Sequence, residues 1–156
     1  MSAPARIWLE ISHHAAFRVG GWAFVRADGV GVAGHAGGDR RISAERTALA
    51  GLAAALAHAG AGPVRLETAS ALVAAIPARI RAAEASEDAP AEDLDLWAQA
   101  MRALAARPVE VVRVGSTAQP TAFAAAWAEL ARDRAKDKGS FASAIPKPNL
   151  AKAGVG

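Results

Sequence analysis

The chain has 156 residues and a mass of 15.9 kDa, a size at which we expect one hydrophobic core and one main domain. It contains no cysteine, which excludes disulfides, cysteine nucleophiles and thiolate metal sites. The mean hydropathy is +0.15, yet no run approaches the roughly 20 apolar residues that span a bilayer. Residues 1–6 lack the apolar core of a secretory signal, so we expect a cytoplasmic protein with no membrane partner.

The positive charge is concentrated near the end of the chain. The net charge is +3 and the pI is about 9.9, but residues 1–131 carry 12 arginines against 13 acidic residues. From Arg132 onward there are six basic and two acidic residues, including all four lysines. Because dispersed surface arginines usually serve solubility, the total charge does not by itself predict a nucleic-acid-binding face.

The N-terminal third predicts three consecutive strands. Residues 6–12 alternate between apolar and polar side chains, as a strand requires. A loop with His13 and His14 leads into a second strand over residues 20–26, and Asp28-Gly29 is typical of a hairpin turn. A Gly-rich third strand follows, so the first three strands form an antiparallel meander.

The rest of the chain alternates between helices and strands. In chain order we predict a helix capped by Ser43 and ended by residues 60–63, a strand over 64–69, a helix over 70–80 containing Pro77, an acidic connector over 84–93, a helix around 96–104, a strand over 109–114 and a helix from 120 to about 136. This order predicts an α/β fold with a mixed five-stranded sheet, strands 4 and 5 lying parallel to strand 1. Residues 1–138 form the predicted domain, and residues 139–156 a tail that is extended or poorly ordered.

Over about residues 6–136 this order resembles that of the ribonuclease H family. Local matches occur on the corresponding elements: Gly20-Gly21-Trp22, Glu45-Arg46-Thr47-Ala48-Leu49, Leu66-Glu67-Thr68-Ala69-Ser70, Leu94-Asp95-Leu96-Trp97 and Ala128-Glu129-Leu130-Ala131. The resemblance implies a ribonuclease H-like fold. It also implies a nuclease site in which four carboxylates hold two divalent ions, one helping to form the attacking hydroxide and the other stabilising the leaving oxygen.

The four positions that the resemblance assigns to those carboxylates are Glu10, Ala48, Ala69 and Ala128, with Ala126 as an alternative to Ala128. Magnesium requires hard oxygen ligands, which methyl groups cannot replace. The position of the family's loop histidine falls on Ser116. We therefore expect a catalytically degenerate member with no catalytic residues and no cofactor, with magnesium or manganese bound only if nuclease activity persists.

A rearranged metal site is the alternative. Glu10 and Glu67 are its candidate carboxylates, with His13 or His14 as nitrogen ligands and Glu45 at the start of the adjacent helix. The competing interpretation is that the histidines are exposed and that Glu67 pairs with an arginine such as Arg65 or Arg46.

Three functions follow from these observations. The first is a non-catalytic module that binds an unidentified protein partner or a second copy of itself. The second is a nucleic-acid-binding pseudo-nuclease that uses Arg40, Arg41, Arg46 and the basic tail, although residues 79–97, where some family members grip the hybrid backbone, sum to −4. The third is a ribonuclease with a rearranged site. The tryptophans are expected to pack in the core, except Trp8, which shares the strand face of Glu10.

Overall fold

The computed structural model describes residues 3–155, so the first two residues of the predicted domain and the last residue of the predicted tail lie outside the described residues. Within that range the elements follow in the order β1 (Ala5–His14), β2 (Val19–Ala27), β3 (Val32–Arg40), α1 (Ala44–Ala57), β4 (Val64–Thr68), α2 (Ala71–Glu84), α3 (Leu94–Ala105), β5 (Val109–Arg113), α4 (Thr121–Lys138), β6 (Phe141–Ala144) and α5 (Lys147–Leu150).

The strands form one mixed sheet in the order β5-β4-β1-β2-β3-β6. Strands β1, β2 and β3 pair antiparallel, whereas β4 pairs parallel to β1 and β5 parallel to β4. The predicted fold class is confirmed, but the sheet has six strands and not five. The additional strand, β6, pairs antiparallel with β3.

The sixth strand comes from the segment predicted as an extended or poorly ordered tail. Its sequence, Phe-Ala-Ser-Ala, is too short and too uniform in side-chain size to show a strand period. It is extended because it pairs with the unpaired backbone N–H and C=O groups along the outer edge of β3. Beyond it, Ile145, Leu150 and Ala153 are buried against the sheet together with Trp8 and Ala36.

The helix starts agree with the capping chemistry of the sequence. The Ser43 hydroxyl accepts a hydrogen bond from the backbone N–H of Arg46, and the Ser70 hydroxyl accepts one from that of Val73. Pro77 lies inside α2, which continues past it to Glu84. These caps fix where α1 and α2 leave the sheet.

The sheet separates two cores. Helices α1, α2 and α3 cover one face, where Ile7, Leu9, Phe24, Leu52 and Leu66 are fully buried. Helix α4 covers the opposite face, where its Ala128 and Ala131 pack with Trp8, Ala23 and Val25 of the strands.

Glycines in β2 and β3 let α4 approach the sheet backbone. A Cβ on Gly21 would lie 2.3 Å from the carbonyl oxygen of Ala128, and a Cβ on Gly38 would lie 2.8 Å from that of Ala131. The Gly-rich sequence of β3 is therefore a close-packing surface and not a loop.

Candidate functional site

Glu10 is the acidic side chain among the four positions that the resemblance assigns to the site. It lies on β1, opposite Ala23 of β2, and only 5% of it is exposed. Its carboxylate accepts a hydrogen bond of 2.7 Å from the backbone N–H of Ala69 and one of 3.3 Å from the Thr68 hydroxyl. Because Trp8 is the register partner of Glu67, the carboxyl end of β4 meets the middle of β1 at Ala69 and Glu10.

Burial controls the ionisation of this carboxyl group. Desolvation raises the pKa of Glu10 above the ordinary value of 4.5, while the hydrogen bonds from Ala69 and Thr68 and the charge of Arg113 act in the opposite direction. A divalent ion bound at this point would place a strong positive charge beside the carboxyl group and lower its pKa. The groups present are instead one hydroxyl, one peptide N–H and one guanidinium.

The other three positions named by the resemblance hold methyl groups in different surroundings. Ala69 follows β4 directly and contacts Glu10 through the hydrogen bond above. Ala128 is buried against the sheet in the same cluster as Ala23, whereas the alternative, Ala126, is exposed. Ala48 is buried on α1, in the core on the other face. Ser116 is exposed in the loop between β5 and α4.

Glu67, the second candidate metal ligand, forms ion pairs with two arginines. Its carboxylate lies 3.0 Å from Arg6 and 3.7 Å from Arg65. Glu67 lies on β4, two residues before Ala69. Because Ala69 is level with Glu10 in the sheet, the two glutamates are separated by about 6–7 Å along the strand direction. The pairing with Arg65 is the one that the sequence offered as the competing interpretation.

The remaining candidate ligands are also used elsewhere. The His13 Nε2 lies 2.7 Å from the carbonyl oxygen of Ile42, and the His14 ring packs edge-on against Phe17. Glu45 pairs with Arg79 at 2.8 Å and accepts a hydrogen bond of 3.1 Å from the Trp97 indole. Across residues 3–155, no group of three or more histidine or acidic side chains is arranged to hold a metal ion.

Trp8 does not offer a stacking surface. It is 2% exposed and packs in the α4-side core, with the Arg6 guanidinium 4.6 Å from the centre of its ring. Trp22 and Trp97 are also buried. The expectation that Trp22 and Trp97 pack in the core agrees with these positions.

Two arginines near the site were missed by the sequence reasoning. Arg113, the last residue of β5, donates from Nε to the carbonyl oxygen of Ala69 at 2.9 Å. Arg132, on α4, donates from Nη1 to the hydroxyl of Ser12 at 2.8 Å. Their positions in the strands could have indicated them. Arg113 is the last residue of the strand beside β4, and Ser12 follows Glu10 on the same face of β1.

Two of the three arginines that the sequence did single out are used within the fold. Arg40 donates to the carbonyl oxygens of Ala135 and Lys136 at the end of α4. Arg46 pairs with Asp93 and Asp95 at the start of α3, which raises the pKa of Arg46 and lowers that of Asp95. Arg41 is exposed.

Comparison with known proteins identifies the architecture through structure and not through sequence. No family model matches the sequence, and no curated protein is similar to it. Among solved structures, the N-terminal RNase H domain of a Mycobacterium tuberculosis protein, solved as a fusion with maltose-binding protein, superposes with a TM-score of 0.65 at 19% identity, covering 87% of this chain and 98% of that one. This chain has a ribonuclease H-like fold.

Two further structures agree with that assignment. LC9-RNase H1, described as a type 1 RNase H with the type 2 active-site motif, gives a TM-score of 0.69 at 16% identity, covering 99% of this chain and 82% of the other. RNase H1 from the halophilic archaeon Halobacterium salinarum NRC-1 gives 0.59 at 20% identity, covering 84% and 98%. Identities at this level support the ribonuclease H-like fold and leave the activity to be argued from the residues.

No helix in residues 3–155 is both long and apolar enough to cross a bilayer.

Proposed function

We propose that this ribonuclease H-like domain has lost metal-dependent nuclease activity and acts as a non-catalytic interaction module. The observation that carries the proposal is the environment of Glu10. Its carboxylate is buried and accepts hydrogen bonds from Ala69 and Thr68, while the three companion positions hold alanine. These residues do not fit a pair of divalent ions, because one carboxylate among methyl groups supplies too few oxygen ligands.

The test is cleavage of a labelled RNA–DNA hybrid by the pure chain, with magnesium in one series and manganese in another. We expect no cleavage above the level of a metal-free sample. The matched control is Glu10→Gln, which keeps an acceptor for the Ala69 N–H but removes the charge. Cleavage that is present in the wild type and lost in Glu10→Gln would contradict the proposal and support a rearranged site, whereas cleavage equal in both proteins indicates a contaminating nuclease.

A second candidate function, binding nucleic acid without cutting it, is favoured by one surface. At the loop between β1 and β2 the exposed Phe17 ring lies 3.6 Å from the Lys136 ammonium group, and Arg18 and Arg41 are exposed nearby at the ends of β2 and β3. An aromatic ring among exposed cations suits a phosphate backbone with unstacked bases.

This second function predicts a strong dependence on salt. Binding of an RNA–DNA hybrid with single-stranded ends would weaken steeply as salt is raised, because counterion release drives phosphate binding. Arg18→Gln and Arg41→Gln should each weaken it, while Arg65→Gln, at the opposite end of the strands, should not. The absence of binding at low salt would exclude this function.

A further inference from the structure

Helices α2 and α3 enclose an apolar groove on the surface. One cavity of about 200 Å³ is lined by Ile80, Ala83, Pro90, Trp97, Ala98 and Met101. A second, of about 250 Å³, includes Ile80 and Met101 in its wall and extends to Leu104 and Val109. The two cavities lie side by side against these two shared side chains, and we call them together the α2–α3 groove.

Helix α3 leaves much of its apolar face uncovered. Only Trp97 and Ala100 of this helix are fully buried, while Met101 is 42% and Leu94 is 59% exposed. Trp97, Met101 and Leu104 recur at helical spacing and face the groove. An apolar stripe at this spacing is normally buried against another element. Trp97 and Leu104 pack against the core, so Met101 is the member of this stripe that stays exposed within residues 3–155.

The connector from α2 to α3, whose Pro90 lines the groove, is negatively charged, and we call it the acidic border. From Glu84 to Asp95 there are six acidic residues and no basic one. Arg46 pairs with Asp93 and Asp95. The other four, Glu84, Glu87, Asp88 and Glu92, are exposed and make no ion pair within the part of the chain that the structure describes. Arg81 is the basic side chain that lines the groove.

We propose that the α2–α3 groove binds an amphipathic helix of another protein, with apolar residues at i, i+3 or i+4 and i+7 and with lysines or arginines beside them. The apolar residues would enter the two cavities, and the cations would face the acidic border. Met101, which lies in both cavities, has a flexible side chain that can adapt to different apolar partners. This inference rests on the proposed function, because it names the partner surface of the interaction module.

A second copy of the chain is a poorer match for the groove. The basic helix of this chain is α4, whose apolar residues Ala124, Ala128, Ala131 and Ala135 are buried against its own sheet. Its exposed apolar side chain, Leu130, follows Phe123 and Trp127 at helical spacing, but those two rings are partly buried and pack against the core of their own chain. On this helix a second copy therefore presents one freely exposed apolar side chain, Leu130, and fewer apolar contacts than the groove could accept.

The inference can be tested with labelled helical peptides of about 14 residues, roughly four turns. The first has leucines at the stated spacing and lysines beside them, the second replaces the lysines by glutamates, and the third replaces the leucines by serines. Fluorescence anisotropy with the full chain should show binding of the first peptide, and binding of the other two weaker by about tenfold or more.

Variants of the chain locate the binding site. Met101→Glu places a charge in both cavities and should abolish binding of the first peptide, whereas Leu130→Glu, at a more exposed apolar position on α4, should leave it unchanged. Glu87→Lys combined with Asp88→Lys should weaken binding, and Asp137→Lys on α4 should not. Circular dichroism checks that each variant is folded.

Equal affinity for the lysine and glutamate peptides, no binding of the first peptide, or binding unaffected by Met101→Glu would each overturn the inference. So would sedimentation showing a dimer that Met101→Glu dissociates, because the occupant would then be a second copy. The nuclease assay is independent of these results. Metal-dependent cleavage would contradict the proposed loss of activity. If the protein neither cleaves the hybrid nor binds the first peptide, only the proposal that the groove binds a helix is contradicted.

Discussion

The backbone N–H of Ala69 donates a hydrogen bond of 2.7 Å to the carboxylate of Glu10. The carbonyl oxygen of Ala69 in turn accepts from Arg113 at 2.9 Å, and the backbone N–H of the following Ser70 donates to the Thr68 hydroxyl. The polar groups of this turn are thus satisfied by side chains from β1, β4 and β5. The Glu10 carboxylate thus connects the end of β4 to the centre of the sheet.

This arrangement predicts an unusual pH dependence for Glu10. Because burial raises the pKa of Glu10 in the folded state, the folded protein holds this proton more tightly than the unfolded chain does. The contribution of Glu10 to the free energy of unfolding is therefore greatest at low pH and falls as the pH rises above 4.5 and through the raised pKa. Glu10→Gln should remove this fall and match or exceed the wild type at neutral pH, as measured by urea unfolding between about pH 4 and pH 8.

The control for this prediction is Glu10→Ala. It removes the acceptor as well as the charge and leaves the partly buried Ala69 N–H without its hydrogen bond, at a cost of about 1–3 kcal/mol. If Glu10→Gln lost as much stability as Glu10→Ala at neutral pH, the charge of Glu10 would be stabilising, and the proposed role of burial would be wrong.

A second prediction concerns the contact of α4 with β2. The Cβ of Gly21→Ala would meet the backbone carbonyl oxygen of Ala128 and the backbone nitrogen of Arg132, each at 2.3 Å. Backbone atoms cannot rotate away as a side chain can, so α4 must shift as a whole. We expect a loss of about 3 kcal/mol or more in the free energy of unfolding, at or above the upper end of ordinary overpacking.

Gly62→Ala is the matched substitution, because a Cβ at Gly62 meets nothing within 4 Å. It should be neutral or stabilise the protein by up to about 1 kcal/mol through the unfolded chain. Chemical denaturation gives the free energy of unfolding of both variants. A Gly21→Ala protein as stable as Gly62→Ala would show that the α4 backbone does not pack closely against β2.

The sequence predicted the features that depend on local chemistry and missed those that depend on distant contacts. Ser43 was predicted to cap α1, because a cap needs only a hydroxyl a few residues from its donor. The choice between Ala126 and Ala128 depended on which side of α4 faces the sheet, and two alanines give no contrast in polarity. The contact of Arg132 with Ser12 joins residues 120 positions apart, and no periodicity reports such a pair.

The third prediction separates two neighbouring arginines. Arg40 donates two hydrogen bonds to carbonyl oxygens at the C-terminal end of α4, where a positive charge also interacts favourably with the helix dipole. Arg40→Gln should therefore lower the free energy of unfolding by about 1–2 kcal/mol. Arg41→Gln, at an exposed position next to it, should change it by less than about 0.5 kcal/mol. Equal losses in the two variants, measured by thermal or urea unfolding, would contradict the assignment of Arg40 as a helix cap.

The fourth prediction concerns a pair of histidines on the α1 side of β3. The His35 ring lies with its centre 4.0 Å from that of His58 and 5.5 Å from that of Phe24, and its Nδ1 is buried without a hydrogen-bond partner in residues 3–155. Burial lowers the pKa of His35, and the positive charges of His58 and Arg26 lower it further. Protonation of His35 is therefore unfavourable in the folded state.

A lowered pKa for a histidine means that the unfolded chain binds this proton more readily than the folded protein. The contribution of His35 to stability is present above pH 6.5 and is lost as the pH falls below 6.5 and through the lowered pKa. His35→Phe keeps a ring against Phe24, leaves no hydrogen bond broken and cannot be protonated. We expect its urea midpoint to fall less than that of the wild type as the pH is lowered from about 8 to 5. His35→Gln removes the ring as well as the charge, so it should show the same flatter pH dependence at a lower overall stability. A decline in both variants as steep as in the wild type would place the acid sensitivity at other groups.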